Sequence, residues 1–164
     1  MRPQIYWIEF SGPGRLAILA RPRGTDWLEE EVRGWKDAGI DVVVSCLTES
    51  ENRELGLVQE ADEAHKIDLV FISFPIVDYS VPASHEETMR LVATLESFLL
   101  AGKSVGIHCR QGIGRSSVIA ACVLRTSGES ANESFSRIAT ARGLTVPDTV
   151  EQRQWVSAYG GSLN

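Results

Sequence analysis

Apolar residues fall along the chain in short blocks, spaced in turn as strands and as helices. Residues 5–10 mix β-branched and aromatic side chains and predict a strand. Ser11-Gly12-Pro13-Gly14 is a turn cluster, and residues 16–20 predict a second strand, hairpin-paired with the first. Asp26-Trp27-Leu28-Glu29 reads as a helix start of capping-box type. Leu28, Val32 and Trp35 then share one helical face, and Gly39 stops the helix. Residues 41–47 contain Val42-Val43-Val44 and predict a buried strand of parallel type, with Cys46 near its end. Residues 50–66 are more polar and predict one short helix over 58–65. Residues 68–76 predict another apolar strand, and 77–83 a loop.

The second half repeats the alternation. Ser84-His85-Glu86-Glu87 opens a helix that buries Leu91, Leu95, Phe98 and Leu99 and ends at Gly102. Residues 104–107 predict a buried strand and 118–124 a buried helix, stopped at Gly128. Ser130 to Glu133 is a further capping box, opening a helix with Phe135, Ile138 and Ala139 inward and Gly143 at its end. Pro147-Asp148 opens a last helix with Val150, Trp155, Val156 and Tyr159. Strands alternating with helices predict an α/β fold with a mainly parallel central sheet flanked by helices. The 164 residues suffice for one domain with a sizeable core, expected to span 1–164.

Composition narrows the classes. A net charge of −6 argues against a nucleic-acid or anionic-membrane surface as the main partner. No run approaches the length of a membrane span. Three cysteines, an odd count without a secretory signal, predict a reducing, cytoplasmic setting. His65, His85 and His108 lack ligand spacing, so no metal and no cofactor is expected.

The chemistry concentrates between the strand at 104–107 and the helix at 118–124. There the chain reads His108-Cys109-Arg110-Gln111-Gly112-Ile113-Gly114-Arg115-Ser116-Ser117. Successive backbone N–H groups in such a loop converge on an anion, and the following helix adds unpaired donors and its positive dipole end. Arg115 brings a planar fork for two phosphate oxygens. Cys109 sits where these features focus, and a thiol in such a setting ionises near neutral pH. Arg110, Gln111, Gly112, Ile113 and Gly114 complete the cradle. A thiolate at its floor is a nucleophile aimed at phosphorus. Asp78 is the candidate proton donor, on a loop before Pro82; a solvated turn aspartate is the other reading. Asp41 and Asp68 open strands, and Asp148 reads as a helix cap. Ser116 offers a hydroxyl beside the sulfur, or merely solvates a helix start.

The segment resembles the His-Cys-x5-Arg-Ser/Thr signature of the cysteine-dependent protein tyrosine and dual-specificity phosphatases. Its two-glycine form is most similar to the kinase-associated phosphatase branch. Phe74-Pro75-Ile76-Val77-Asp78-Tyr79-Ser80-Val81-Pro82, about thirty residues before the cysteine, resembles the family's general-acid loop. The stretch from Arg142 to Gln152 also resembles that branch. The likeness implies the family's phosphatase fold and hydrolysis of phosphate monoesters through a phosphocysteine. The partner implied is a phosphorylated protein or a small phosphate monoester.

On the resemblance, Cys109 attacks, Arg115 and loop amides bind phosphate, Asp78 is acid then base, and Ser116 stabilises the leaving sulfur. It also suggests water positioning by Gln152, against a surface glutamine. Cys46 reads either as a redox partner of Cys109 or as a small buried residue, and Cys122 as core. Gln111 stands where many dual-specificity phosphatases carry an acid. The loop lacks the lysines of some inositide phosphatases, which weakens an inositol phosphate reading. A phosphoprotein-binding module without turnover and a thiol redox protein using Cys46 and Cys109 are the remaining alternatives. Arg21 and Arg23 either meet the substrate beyond the pocket or are structural.

Overall fold

The structure, a computed structural model, describes residues 2–160. Its centre is a five-stranded sheet: β1 (Ile5–Ile8), β2 (Arg15–Leu19), β3 (Val42–Ser45), β4 (Val70–Ser73) and β5 (Ser104–His108). The order is β1-β2-β5-β3-β4; β1 and β2 pair antiparallel and the other pairs are parallel. The hairpin and the parallel sheet are those the sequence predicts. β5 lies between β2 and β3, so the chain leaving it opens beyond the carboxyl ends of parallel strands, where such sheets bind ligands.

Among the described residues seven α-helices flank the sheet: α1 (Leu28–Asp37), α2 (Glu49–Glu54), α3 (Glu60–Lys66), α4 (His85–Leu100), α5 (Arg115–Arg125), α6 (Ala131–Arg142) and α7 (Val150–Ala158). Alternate strand residues point to opposite faces. Ala17, Leu19 and Val43 meet Leu28, Val32 and Trp35 of α1 and Ala64 of α3. Leu16, Ile18, Val42 and Val44 meet Leu91, Leu95 and Leu99 of α4, the length of α5, and Phe135 and Ile138 of α6. Ten of the eleven α5 residues are buried, which explains a helix apolar all round.

Four local expectations are corrected. α1 has no capping box: a 3-10 turn (Thr25–Trp27) leads into it, and its N-cap, Trp27, makes no side-chain bond. Thr25 donates its N–H to Gly56 O at 2.9 Å, which ties this turn to the α2–α3 connection and fixes the entry by tertiary contact. Residues 50–66 hold two helices, not one. α2 is nucleated by a reciprocal capping box of Thr48 and Glu51, and Gly56, at φ +71°, breaks the chain before α3. β4 is a half-exposed edge strand of four residues, shorter than the apolar block at 68–76 suggests. The cap of α7 is Thr149, in a capping box with Gln152, not Asp148; Val150 at its start is exposed.

Candidate active site

The site is built from the turn between β5 and α5. Gly112 takes the left-handed conformation, φ +70°, that lets the loop curl. Gly114 is the N-cap of α5 and offers no side chain, so the first amides of the helix stay available to an anion. Gly112→Ala is expected to cost about 1 kcal/mol for the φ alone. Its Cβ would also press Ile18 and Arg142 at 3.3 Å. Thermal melting and phosphate inhibition should record a modest loss of stability and weaker anion binding.

Cys109 is 3 % exposed at the loop's start, and its Sγ lies 3.2 Å from Ser116 Oγ. Arg115, 1 % exposed, opens α5. Its Nη1 donates to Glu51 Oε1 at 2.7 Å and to Ile76 O at 2.8 Å, and its Nη2 to Glu51 Oε2 at 2.9 Å. Nη2 also meets Asp78 Oδ1 at 3.0 Å. Glu51 thus grips the guanidinium in two places, which fixes the plane of the fork. Burial pushes the Glu51 carboxyl up, but bonds from Arg115 and Thr48 and the Arg115 charge outweigh it and hold it at about 2.

Asp78 therefore stands at the cradle, on the loop after β4, with Tyr79 N–H donating to its Oδ1 at 3.0 Å. The loop is held by Gln152, whose Nε2 donates to Ser80 O at 2.9 Å. Gln152 is buried, so it is not a surface glutamine. Its Oε1 accepts from Asp148 N at 3.0 Å and Thr149 N at 3.2 Å.

Beneath the loop, His108 Nε2 lies 2.7 Å from Glu60 Oε2, and its ring stacks on Trp35 at 5.7 Å. Above it, Arg142 donates from Nε to Gly112 O at 3.0 Å and from Nη2 to Gln111 O at 3.1 Å, so it braces the loop's carbonyls. The Arg110 side chain turns to Glu54 at 3.1 Å.

Cys46, just after β3, is a free, fully buried thiol; Cys122 in α5 and Cys109 in the loop after β5 are also free and buried. Burial, then the nearby Cys109, pushes the Cys46 thiol well up. Arg23 pairs with Glu31 and lies over Trp27 at 4.2 Å, while Arg21 is exposed. Among the described residues no group of three His, Cys, Asp or Glu is arranged to hold a metal ion. A cavity of about 610 Å³ between β1 and α6 is lined by Trp7, Glu9, Ser136 and Arg137 and includes none of the loop residues 109–115.

Sequence reasoning passed over Glu51, Glu60, Arg142 and the side chain of Asp148. The Thr48-x-x-Glu51 box was visible as a local signal, but its tie to Arg115 was not.

A family model covers most of this architecture. Residues 17–129 match the family described as "Tc-R-P: Polymorphic toxin system, DSP-PTPase phosphatase". The chain belongs to that family, and it is a protein phosphatase of the tyrosine/dual-specificity class.

Solved structures show the same fold. A kinase associated phosphatase with its catalytic-site cysteine replaced by serine superposes with a TM-score of 0.91 at 19 % identity, over 99 % of this chain and 97 % of that one. Tk-PTP in its active form gives a TM-score of 0.74 at 29 % identity, over 94 % of each chain. PTPMT1 in complex with PI(5)P gives 0.74 at 20 % identity, over 90 % of this chain and 91 % of that one.

Proposed function

We propose that the protein hydrolyses phosphotyrosine, and phosphoserine or phosphothreonine, on proteins through a phosphocysteine formed on Cys109. The observation that carries this reading is the buried Arg115 fork, set by Glu51 in the same loop as Cys109. In the first half, the Cys109 thiolate attacks phosphorus, the bond to the leaving oxygen breaks, and Asp78 gives that oxygen its proton. Arg115 and the amides of residues 110–115 hold the non-bridging oxygens as charge shifts onto them, and fixed donors of this kind usually supply the largest catalytic contribution. In the second half, water attacks phosphorus and the S–P bond breaks. Ser116 Oγ, at 3.2 Å, stabilises the departing sulfur.

The contact of Asp78 with Arg115 gives the loop a reason to respond to substrate. An incoming phosphoryl oxygen competes with Asp78 Oδ1 for Nη2 and so releases the Asp78 carboxyl toward the leaving group. The substrate class follows from the cations that remain. Arg110 turns outward to Glu54, and Arg142 braces the loop's carbonyls, which leaves Arg115 as the buried cation of the loop among the described residues. That supports a single phosphate on an otherwise uncharged carrier over a polyphosphorylated inositol.

The domain spans the whole chain in this reading, and its partner is a phosphate monoester, not a nucleic acid. No described helix is long and apolar enough to cross a membrane. A cytoplasmic setting suits a nucleophile that must stay reduced.

The test is release of p-nitrophenol from p-nitrophenyl phosphate in EDTA, beside phenyl phosphate, by wild type and Asp78→Asn. The variant should lose about 10²–10⁴-fold on the poor leaving group and far less on the good one. Equal losses on both would assign the acid elsewhere. No release by folded, reduced wild-type protein would overturn the catalytic reading.

A further inference from the structure

We propose that Asp148 is a second catalytic carboxylate, which holds and deprotonates the water that hydrolyses the phosphocysteine; this rests on the covalent reading above. Thr149 caps α7, so the Asp148 side chain has no capping duty. Among the described residues its carboxylate accepts no hydrogen bond. Its place is fixed from behind, since its own N–H donates to Gln152 Oε1 at 3.0 Å.

Gly114 shows where the carboxylate points. A Cβ on this loop residue would run into Asp148 Oδ2, and it would lie 2.9 Å from Gln152 Nε2 and 3.0 Å from Gln152 Oε1. Three polar atoms of the α7 entry therefore converge on the glycine immediately before Arg115. The missing Cβ leaves a polar recess against the phosphate loop.

The groups in that recess divide the work. Both lone-pair directions of Gln152 Oε1 are committed to Asp148 N and Thr149 N. One Nε2–H is committed to Ser80 O, which leaves the other free to donate to a water. Such a water still needs an acceptor for the proton it gives up. The family resemblance offers Asp78, but Asp78 Oδ1 is held by Tyr79 N–H and Arg115 Nη2, whereas Asp148 Oδ2, beside the recess, accepts no hydrogen bond among the described residues.

The electrostatics agree. Burial, followed by the Asp78 charge, pushes the Asp148 carboxyl up, and Arg115 pulls it down, so Asp148 stands within the field of both site residues. In the reaction, the water oxygen bonds to phosphorus, the S–P electron pair returns to Cys109, and one water proton passes to Asp148. Gln152 ties Asp148 to the Asp78 loop through Ser80, so the acid of the first half and the base of the second are held by one side chain.

Steady-state kinetics separate the two halves. With p-nitrophenyl phosphate, kcat/KM covers only the steps through nitrophenol release, whereas kcat includes phosphocysteine hydrolysis. Asp148→Asn should lower kcat by about 10²-fold and lower KM with it, leaving kcat/KM within about twofold of wild type. Acid-quenched Asp148→Asn should carry a phosphate on Cys109 by mass spectrometry, and Asp148→Glu should recover part of kcat. Thermal melting of each variant tells a lost base from a lost fold.

An unchanged kcat, or a kcat/KM that falls in step with kcat, would overturn the assignment while leaving the phosphatase reading intact. Wild-type protein that releases no nitrophenol would mark failure of the covalent reading itself.

Discussion

Cys109→Ser protein is expected to release no measurable phosphate from p-nitrophenyl phosphate and still to bind phosphotyrosine peptide. The exchange puts a hydroxyl where the thiol stood, 3.2 Å from Ser116 Oγ in the parent, and leaves the loop backbone and Arg115 in place. A serine hydroxyl has no adjacent base to ionise it and is far the poorer leaving group from phosphorus, so both halves of the reaction fail together. The loss should reach roughly 10⁴-fold or more, the scale on which removal of a covalent nucleophile is felt. Binding depends on amides and the guanidinium, which the change does not touch, so peptide affinity by calorimetry should move only a few-fold.

The other thiols supply an internal control. Burial pushes those of Cys46 and Cys122 up, so neutral iodoacetate should label Cys109 alone, and Cys109→Ser protein should take up no label. Turnover by pure Cys109→Ser protein would sink the covalent mechanism. Loss of peptide binding along with turnover would show that the sulfur shapes the cradle as well as attacking from it.

What the sequence made legible follows the distance over which each interaction acts. Cys109, the two loop glycines, Arg115 and Ser116 are contiguous, and the strand before and helix after them carry their own hydrophobic patterns. Local physics therefore places all five. The hairpin and the parallel strands were legible for the same reason, through β-branched blocks bounded by glycine and proline.

The supporting residues are another matter. Glu51 meets Arg115 across 64 positions, Glu60 meets His108 across 48, and Arg142 meets Gly112 across 30. No periodicity announces such pairs, because each is a lone charge in a polar helix until the fold buries it. Asp148 was misplaced by one residue of cap assignment. Thr149 and Asp148 are both good N-caps, and the reciprocal Gln152 bond decides for Thr149. That single step turns Asp148 from a helix cap into a carboxylate facing the loop.

Glu51→Ala is expected to cost both stability and activity, more than any other change outside the loop. It leaves the Arg115 cation, 1 % exposed, with only backbone carbonyls and Asp78 as partners. Stranding one member of a buried ion pair typically costs about 3–5 kcal/mol, a drop readily seen in thermal or urea melts. Activity should fall beyond what unfolding explains. A guanidinium freed from its two-point grip no longer presents its fork in one plane, and misplacement of about 1 Å can cost about 10²-fold.

The pH dependence separates charge from packing. The Glu51 carboxyl sits at about 2 in the folded protein, against 4.5 ordinarily, so the folded state prefers the ionised form. Its contribution, on the order of 3 kcal/mol, is full above the ordinary value and drains away as pH falls toward 2. Wild-type stability should therefore decline between about pH 5 and pH 2 more steeply than that of Glu51→Gln, which has no such proton to take up. Parallel acid limbs in the two proteins would place the titrating charge elsewhere. A Glu51→Ala melt within about 0.5 kcal/mol of wild type would mean that Asp78 alone can neutralise Arg115, and the acid would then be too firmly engaged to serve the leaving group.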